Sequence, residues 1–279
     1  MALKLIQKVA IAGATGNVGK ATMKALLTDG FDVTVLVRKQ SSFPDGVNIK
    51  VVDFASSDAI KDALQGHQAF VDCTLVHDDT PSRLIDAAAA AGVYRYIPSD
   101  FSLDFNNRNV HSVPVFFKKD MNDKHLLKKC EETGMTWSVI CNGAFLDWNL
   151  RTGFMNIDIY NKKVDYINEG SNVQVWTTLE STGKASQKQM VDLCKEALGS
   201  DGWTESTSNM DQVFAGALKE FQAGNYSMNV FGDMIRYANS RPEISCPWPK
   251  DDNPMLGVKE MLDDEVESLV KSIAREKTT

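Results

Sequence analysis

The feature that most constrains this chain is the rhythm of its first hundred residues, where short, largely apolar runs alternate with segments of helical spacing. Lys8–Ala12 (KVAIA), Val33–Val37 (VTVLV), Ile49–Val52, Ala69–Leu75 (AFVDCTL) and Tyr94–Pro98 (YRYIP) read as strands. Between them, Lys20–Thr28, Ser57–Leu64 and the alanine-rich Ser82–Ala91 read as helices. A strand without a polar face must be covered on both sides, and strands separated by helices of about ten residues are joined by parallel crossovers. The expected class is α/β, a Rossmann-like, doubly wound parallel sheet.

After Ser99 the rhythm changes. A polar loop, Asp104–Ser112, precedes a Lys-rich helix from about Phe117 to Glu132, and Met135–Cys141 (MTWSVIC) reads as a sixth strand. From Asp147 onward come short strands and Gly/Asn/Asp turns, with helices expected at Lys188–Leu198, Met210–Phe221 and Val258–Ile273. Residues 1–150 are thus expected to form a nucleotide-binding domain, into which some later segments return. Residues 151–279 are expected to form a smaller C-terminal α/β lobe for substrate. The polar stretch after Leu198 lacks the apolar strand such a lobe would contain, which predicts a trimmed lobe.

Several function classes are disfavoured. The net charge of −7 and pI near 5.2 oppose direct binding of nucleic acid, whose phosphates need a basic surface. No stretch approaches the roughly 18 apolar residues of a membrane span. The N-terminus runs into its first strand without a signal-peptide pattern, so a cytoplasmic protein is expected. The five cysteines show no CxxC spacing and the four histidines no HxxxH pair, so neither a disulfide framework nor a metal site is expected.

Gly13-Ala14-Thr15-Gly16-Asn17-Val18-Gly19 follows the first strand and opens the first helix. In this variant of the dinucleotide fingerprint, Gly13 allows the tight turn and Gly16 lets backbone approach a pyrophosphate. Gly19 permits close helix–strand packing, and the phosphates sit at the helix N-terminus. Thr15, Asn17 and Val18 complete the loop. About 20 residues past the glycines, NAD-binding chains carry an acid for the ribose 2′-hydroxyl. Here the second strand ends in Arg38-Lys39, a bidentate partner and a point charge for a 2′-phosphate, so NADP(H) is expected. Asp53 and Phe54 close the third strand, where an adenine would lie; Asp53 also fits an ordinary strand-end carboxylate. Thr74, near the end of the fourth strand, and Ser99 and Asn142, past the fifth and sixth, complete the expected cofactor set.

Jointly, these and other segments resemble the NmrA-like, isoflavone-reductase-like branch of the atypical short-chain dehydrogenases, in its fungal form. The matching segments are GATGNVG, LVRK, Ile97-Pro98-Ser99-Asp100-Phe101 and Phe116-Phe117-Lys118-Lys119. Further on come Asn142-Gly143-Ala144-Phe145-Leu146-Asp147-Trp148, Gly153-Phe154 and Trp176-Thr177-Thr178-Leu179. The resemblance spans roughly Val9 to Ala185. It implies NADP(H) and, in place of Tyr-x-x-x-Lys, a lysine on the helix after the PSDF segment. No tyrosine here has a lysine four residues later. Lys119 takes that catalytic place, with Lys124 and then Lys118 as alternatives; a solvated lysine in a Lys-rich helix is the competing reading.

Burial or a neighbouring cation would let such a lysine donate a proton near neutrality. Phe101, Phe145, Trp148 and Phe154 form the expected aromatic substrate pocket, or else lobe core. Asp147 is expected to cap the following helix, and Thr177 and Thr178 to be structural. Two functions follow: an NADPH-dependent reductase of a small aromatic, enone- or quinone-like molecule, or a redox-sensing regulator that binds NADP(H) and acts through a protein partner.

Overall fold

The computed structural model describes residues 5–75, 78–178, 181–245 and 252–276. Leu179 lies outside them, as do His77, one of the four histidines, and Cys246, one of the five cysteines. The chain divides into two units, Met1–Asp100 with Lys118–Ile140, and Phe101–Phe117 with Cys141–Thr279. The expected boundary at residue 150 thus falls within the second unit, because the chain leaves the first unit twice.

The first unit runs β1 (Lys8–Ala12), α1 (Asn17–Thr28), β2 (Asp32–Val37), β3 (Val47–Val51), α2 (Ser57–Leu64), β4 (Ala69–Asp72), α3 (Thr80–Ala90), β5 (Arg95–Ile97), α4 (Phe117–Thr133) and β6 (Thr136–Trp137). Its sheet has the order β3-β2-β1-β4-β5-β6 with every pair parallel. Successive strand residues face opposite sides, and both sides are covered. Val9, Ile11, Val33, Val35 and Val71 pack with Met23 of α1. Ala10, Ala12, Leu36 and Phe70 pack with Ile60, Leu64, Leu84, Ala88 and Leu126 of the other helices. This double burial is why the strands read as continuous apolar runs. The strand order reverses between β1 and β4, the switch point outside which such sheets bind ligands.

The sixth strand is shorter than expected. Only Thr136 and Trp137 pair with β5, whose own register stops before Pro98, a residue without an N–H. The Ser138 N–H still donates to the Tyr96 carbonyl at 3.0 Å, the guanidinium of Arg95 takes the Trp137 carbonyl, and the residues after Ser138 make no pair with β5.

The second unit contains β7 (Ala144–Phe145), α5 (Leu146–Thr152), β8 (Ile157–Asp158), β9 (Lys163–Ile167), β10 (Val173–Thr177), β11 (Ser181–Ser186), α6 (Gln187–Leu198), β12 (Thr204–Ser208), α7 (Met210–Gln222), α8 (Met228–Asn239), α9 (Pro242–Ser245), α10 (Asn253–Leu256), β13 (Lys259–Glu260) and α11 (Asp263–Glu276). The strands form a four-stranded sheet, β13-β11-β10-β7, and a three-stranded one, β12-β9-β8.

The polar stretch after Leu198 corrects the expected trimming. Thr204–Ser208 (TESTS) is a strand, parallel to β9. Its side chains supply what burial does not: Ser206 and Ser208 donate to the two carboxylate oxygens of Asp165 at 2.8 and 2.5 Å, and Glu205 pairs with Lys195 at 2.5 Å.

Helix α8 was not expected. Val230, Met234 and Ala238, four residues apart, are its buried stripe, and Tyr237 stacks on Phe214 of α7 at 4.0 Å. The helix expected from Val258 starts only at Asp263, since Lys259 and Glu260 pair with β11 instead.

Candidate functional site

The residues at the C-terminal edge of the first unit's sheet are built from the glycine loop outward. Gly13 has φ +76°, and a Cβ there would collide with the Cys73 carbonyl oxygen at the end of β4. The bare backbone is therefore what lets the loop close over the switch point. Gly19 is also required, for a reason other than the expected one. Its Cβ would meet the loop itself, 2.8 Å from the Ala14 Cα, rather than a strand.

Gly16 is different. Its φ of −77° suits any residue, it is exposed, and the nearest atom to a Cβ is the Gly13 carbonyl at 3.4 Å, an ordinary contact. Nothing in the protein excludes a side chain at Gly16. It is the N-cap of α1 and offers no side chain to the first-turn N–H groups, and that turn carries no acid. Thr15 and Asn17 are exposed and Val18 half-buried. A bare helix N-terminus behind an open glycine is a ready anion site and fits a pyrophosphate.

Arg38 and Lys39 follow β2 and are exposed, and neither makes an ion pair among the described residues. Asp53, past β3, is exposed and accepts from the Ala55 N–H at 2.9 Å, a turn bond that leaves its second oxygen. The carbonyl of Phe54 accepts from Arg83 at 3.0 Å, which ties the end of β3 to α3.

At the end of β4, Asp72 is fully buried. Burial pushes its carboxyl up to about 6, although the Thr74 hydroxyl and N–H both donate to it, at 2.7 and 2.8 Å. The hydroxyl proton of Thr74 is therefore committed, and only its lone pairs remain for a ligand. Ser99 donates to the Thr74 carbonyl at 2.7 Å, linking the ends of β4 and β5. These hydroxyls suit the donor groups of a ribose better than a phosphate. Burial holds the Cys73 thiol at about 12, which rules it out as a nucleophile near neutrality.

The next residue, Asp100, holds Lys119. The lysine Nζ lies 3.3 Å from the Asp100 carbonyl oxygen and 3.4 Å from its carboxylate, with the lysine two-thirds buried and the aspartate almost wholly so. Of the two conditions named above, burial or a neighbouring cation, the lysine meets the first in part, and its neighbours are the sheet-end backbone and carboxylate of Asp100. The competing lysines point elsewhere. Lys118 pairs with Asp79 at 2.8 Å, and Lys124, largely exposed, pairs with Asp120 at 2.5 Å.

Asp100 and Asp123 were missed as site residues. Asp123 is buried on α4, and burial foremost, with Asp100 nearby, pushes its carboxyl up to about 8. Its signal was available: Asp123 occupies a position on the same buried stripe as Leu126.

Asn142, Phe101, Phe145, Trp148 and Phe154 belong to the second unit. Asn142 is buried; its N–H donates to the Ser102 carbonyl, and its Oδ1 has no hydrogen-bond partner among the described residues. Phe101 and Phe145 are half-buried. Trp148 and Phe154 meet at 5.0 Å, while Phe154 also carries the Arg236 guanidinium over its ring and packs into the core of α5, β9 and α6. Asp147 does not cap α5 but pairs with Arg151 at 2.8 Å, because the N-cap is Phe145. Thr177 donates to the Asn142 carbonyl and Thr178 bonds Ser181. Among the described residues no group of His, Cys, Asp and Glu could hold a metal ion, and no helix is long and apolar enough to cross a membrane.

A parallel sheet with a close-packed glycine turn and a bare helix N-terminus at its switch point defines a dinucleotide-binding Rossmann protein. A sequence profile described as NAD(P)H-binding matches residues 13–167, and the chain belongs to that family. It is 29% identical to oxidoreductase aprR of Aspergillus flavus over 190 residues, 66% of this chain; the chain spans 64% of that relative's length. Among solved structures, it resembles isoflavone reductase with a TM-score of 0.72 at 17% identity, over 94% of this chain and 98% of the other. It also resembles the leucoanthocyanidin reductase–NADPH complex of Vitis vinifera, with a TM-score of 0.75 at 14% identity over 96% and 99%. The resemblance read from the motifs is borne out.

Proposed function

We propose that the protein is an NADPH-dependent reductase of a small aromatic, enone- or quinone-like molecule, with Lys119 as proton donor. Bound NADPH would supply a hydride. Gly16 and the first turn of α1 hold the pyrophosphate, and Arg38 with Lys39 takes the 2′-phosphate. Asp53 and Phe54 border the adenine, and Thr74 and Ser99 accept from ribose hydroxyls. Lys119, kept in place by Asp100, gives its proton to the oxygen or carbon that becomes electron-rich as hydride arrives.

One observation carries this reading: a continuous line of contacts along the sheet edge. Gly13 abuts the Cys73 carbonyl, Thr74 receives Ser99, and Asp100 receives Lys119. The line crosses from β1 to β5, two strand spacings or about 10 Å, so anion site and lysine share one rigid edge. The aprR relative is itself named an oxidoreductase, and the leucoanthocyanidin reductase structure holds NADPH. A cytoplasmic location is proposed with it.

The test is NADPH consumption with a panel of quinones, enones and phenylpropanoid-like compounds, for wild type and Lys119→Ala. Turnover that depends on Lys119 is expected. Tight NADPH binding without turnover on any compound would overturn the reductase reading and favour a redox-sensing regulator with a protein partner.

A further inference from the structure

Helix α4 is strongly polar, yet it buries Asp123 beside Leu126. Leu126 belongs to the apolar core under the sheet, whereas Asp123 faces charged groups. It follows Lys119 by four residues, the spacing that makes two side chains neighbours on one helix face. From the end of β5, Asp100 reaches the same lysine through its carbonyl and its carboxylate. Asp120, on the same helix, also faces Asp123 and is itself paired with Lys124. One partly buried cation is therefore held by Asp100 and lies a helical turn from Asp123, with which it makes no hydrogen bond or ion pair in this structure. With all three ionised, the array would bury a net negative charge, which is costly unless one acid keeps its proton.

We propose that Asp123 is a positioning residue that stores a proton beside Lys119 and returns it after each turnover, while Asp100 holds the lysine in place. This rests on the reductase reading above. When Lys119 gives a proton to the reduced substrate it becomes a neutral amine. That amine, no longer held to Asp100 by charge, turns to the Asp123 carboxyl one helical turn away and takes its proton, which leaves a carboxylate and restores the ammonium. One proton from water later returns Asp123 to its acid form, so each cycle takes up a single solvent proton. The balance of forces agrees: burial and the Asp100 charge favour the protonated acid, Lys119 opposes them, and the result is a carboxyl that titrates at about 8.

The array can be tested without turnover, by carboxyl-carbon NMR titration of aspartate-labelled protein without ligand. Asp123 should titrate near neutrality or above. Lys119→Met should move its midpoint up and Asp100→Asn should move it down, each by about one pH unit or more, as expected for charges facing one buried group. Opposite responses cannot come from a packing role. A midpoint in the ordinary carboxylate range, or one unmoved by both variants, would overturn the proposal.

With NADPH and menadione, Asp123→Asn should lose about tenfold in kcat with NADPH affinity unchanged, and Asp123→Glu should recover most of the loss. An unchanged kcat would also overturn proton storage. Coupled titrations with no turnover on any quinone would support the array and overturn the reductase reading instead.

Discussion

Two glycines three residues apart should respond in opposite ways to the same added methyl group. At Gly13, alanine must adopt φ +76° and press its Cβ into the Cys73 carbonyl. The left-handed backbone costs about 1–2 kcal/mol and overpacking against immobile backbone about 1–3 kcal/mol more. A loss of roughly 3 kcal/mol lowers Tm by about 6–12 °C for a chain of this size. At Gly16, alanine finds an allowed φ of −77° and no contact closer than 3.4 Å. Restricting the unfolded chain gains about 0.4–1 kcal/mol, and a poorer N-cap loses a similar amount, so the fold should be nearly indifferent. Valine at Gly16 should be tolerated likewise, yet it fills the space a pyrophosphate needs. Losing one or two charge-assisted hydrogen bonds, about 1.5–3 kcal/mol each, weakens NADPH binding by tenfold or far more. Thermal melts of Gly13→Ala and Gly16→Val, with fluorescence titrations of NADPH, test both halves. A Gly16→Val protein that melts like wild type and still binds NADPH tightly would refute the cradle. A Gly13→Ala protein of native stability would refute the close-packing argument.

Arg38→Ala should weaken NADPH binding by about 10- to 150-fold and leave NADH affinity nearly unchanged; equal affinity of the wild type for both would remove the basis for NADP(H). Lys119→Ala should lower kcat by roughly 10²–10⁴ with NADPH affinity within about tenfold. Lys124→Ala should do far less, since that lysine is spent on Asp120 in solvent, and equal losses in the two variants would show that the wrong feature of α4 was chosen. For Asp123, burial lifts the folded-state value from 3.8 to about 8. Between those values the native state holds a proton the unfolded chain has lost, so wild-type stability falls as pH rises through that window. Asp123→Asn, a neutral isostere, should match wild type near pH 4 and exceed it by a few kcal/mol near pH 8; parallel stability curves for the two proteins would contradict this.

The sheet was legible because its physics is local. Continuous apolar runs such as Val33–Val37 supply residues to two cores at once, and no other arrangement buries both faces of a strand. Tertiary context decided the rest. Met135–Cys141 has the composition of a strand but loses its partner where Pro98 ends β5. Thr204–Ser208 has the composition of a loop, yet one carboxylate, Asp165, receives two of its hydroxyls and makes it a strand. Helix α8 was obscured by Gly232 and its asparagines, although Val230, Met234 and Ala238 keep a helical period.

At the site, the loop and the end of β2 were readable because each rests on one residue type at one spacing. The surroundings of Lys119 were not. A helix with lysines at 118, 119, 124, 128 and 129 gives no local sign of which is buried, and the answer depends on a residue nineteen positions earlier. Asp100 selects Lys119 by meeting it at the end of β5, while Asp79, Asp120, Asp86 and Glu132 engage its neighbours toward solvent. The acids therefore sort the lysines. An aspartate on a helix's apolar stripe, as Asp123 is, carries the more informative signal: burial there holds the carboxyl protonated well above the ordinary carboxylate range.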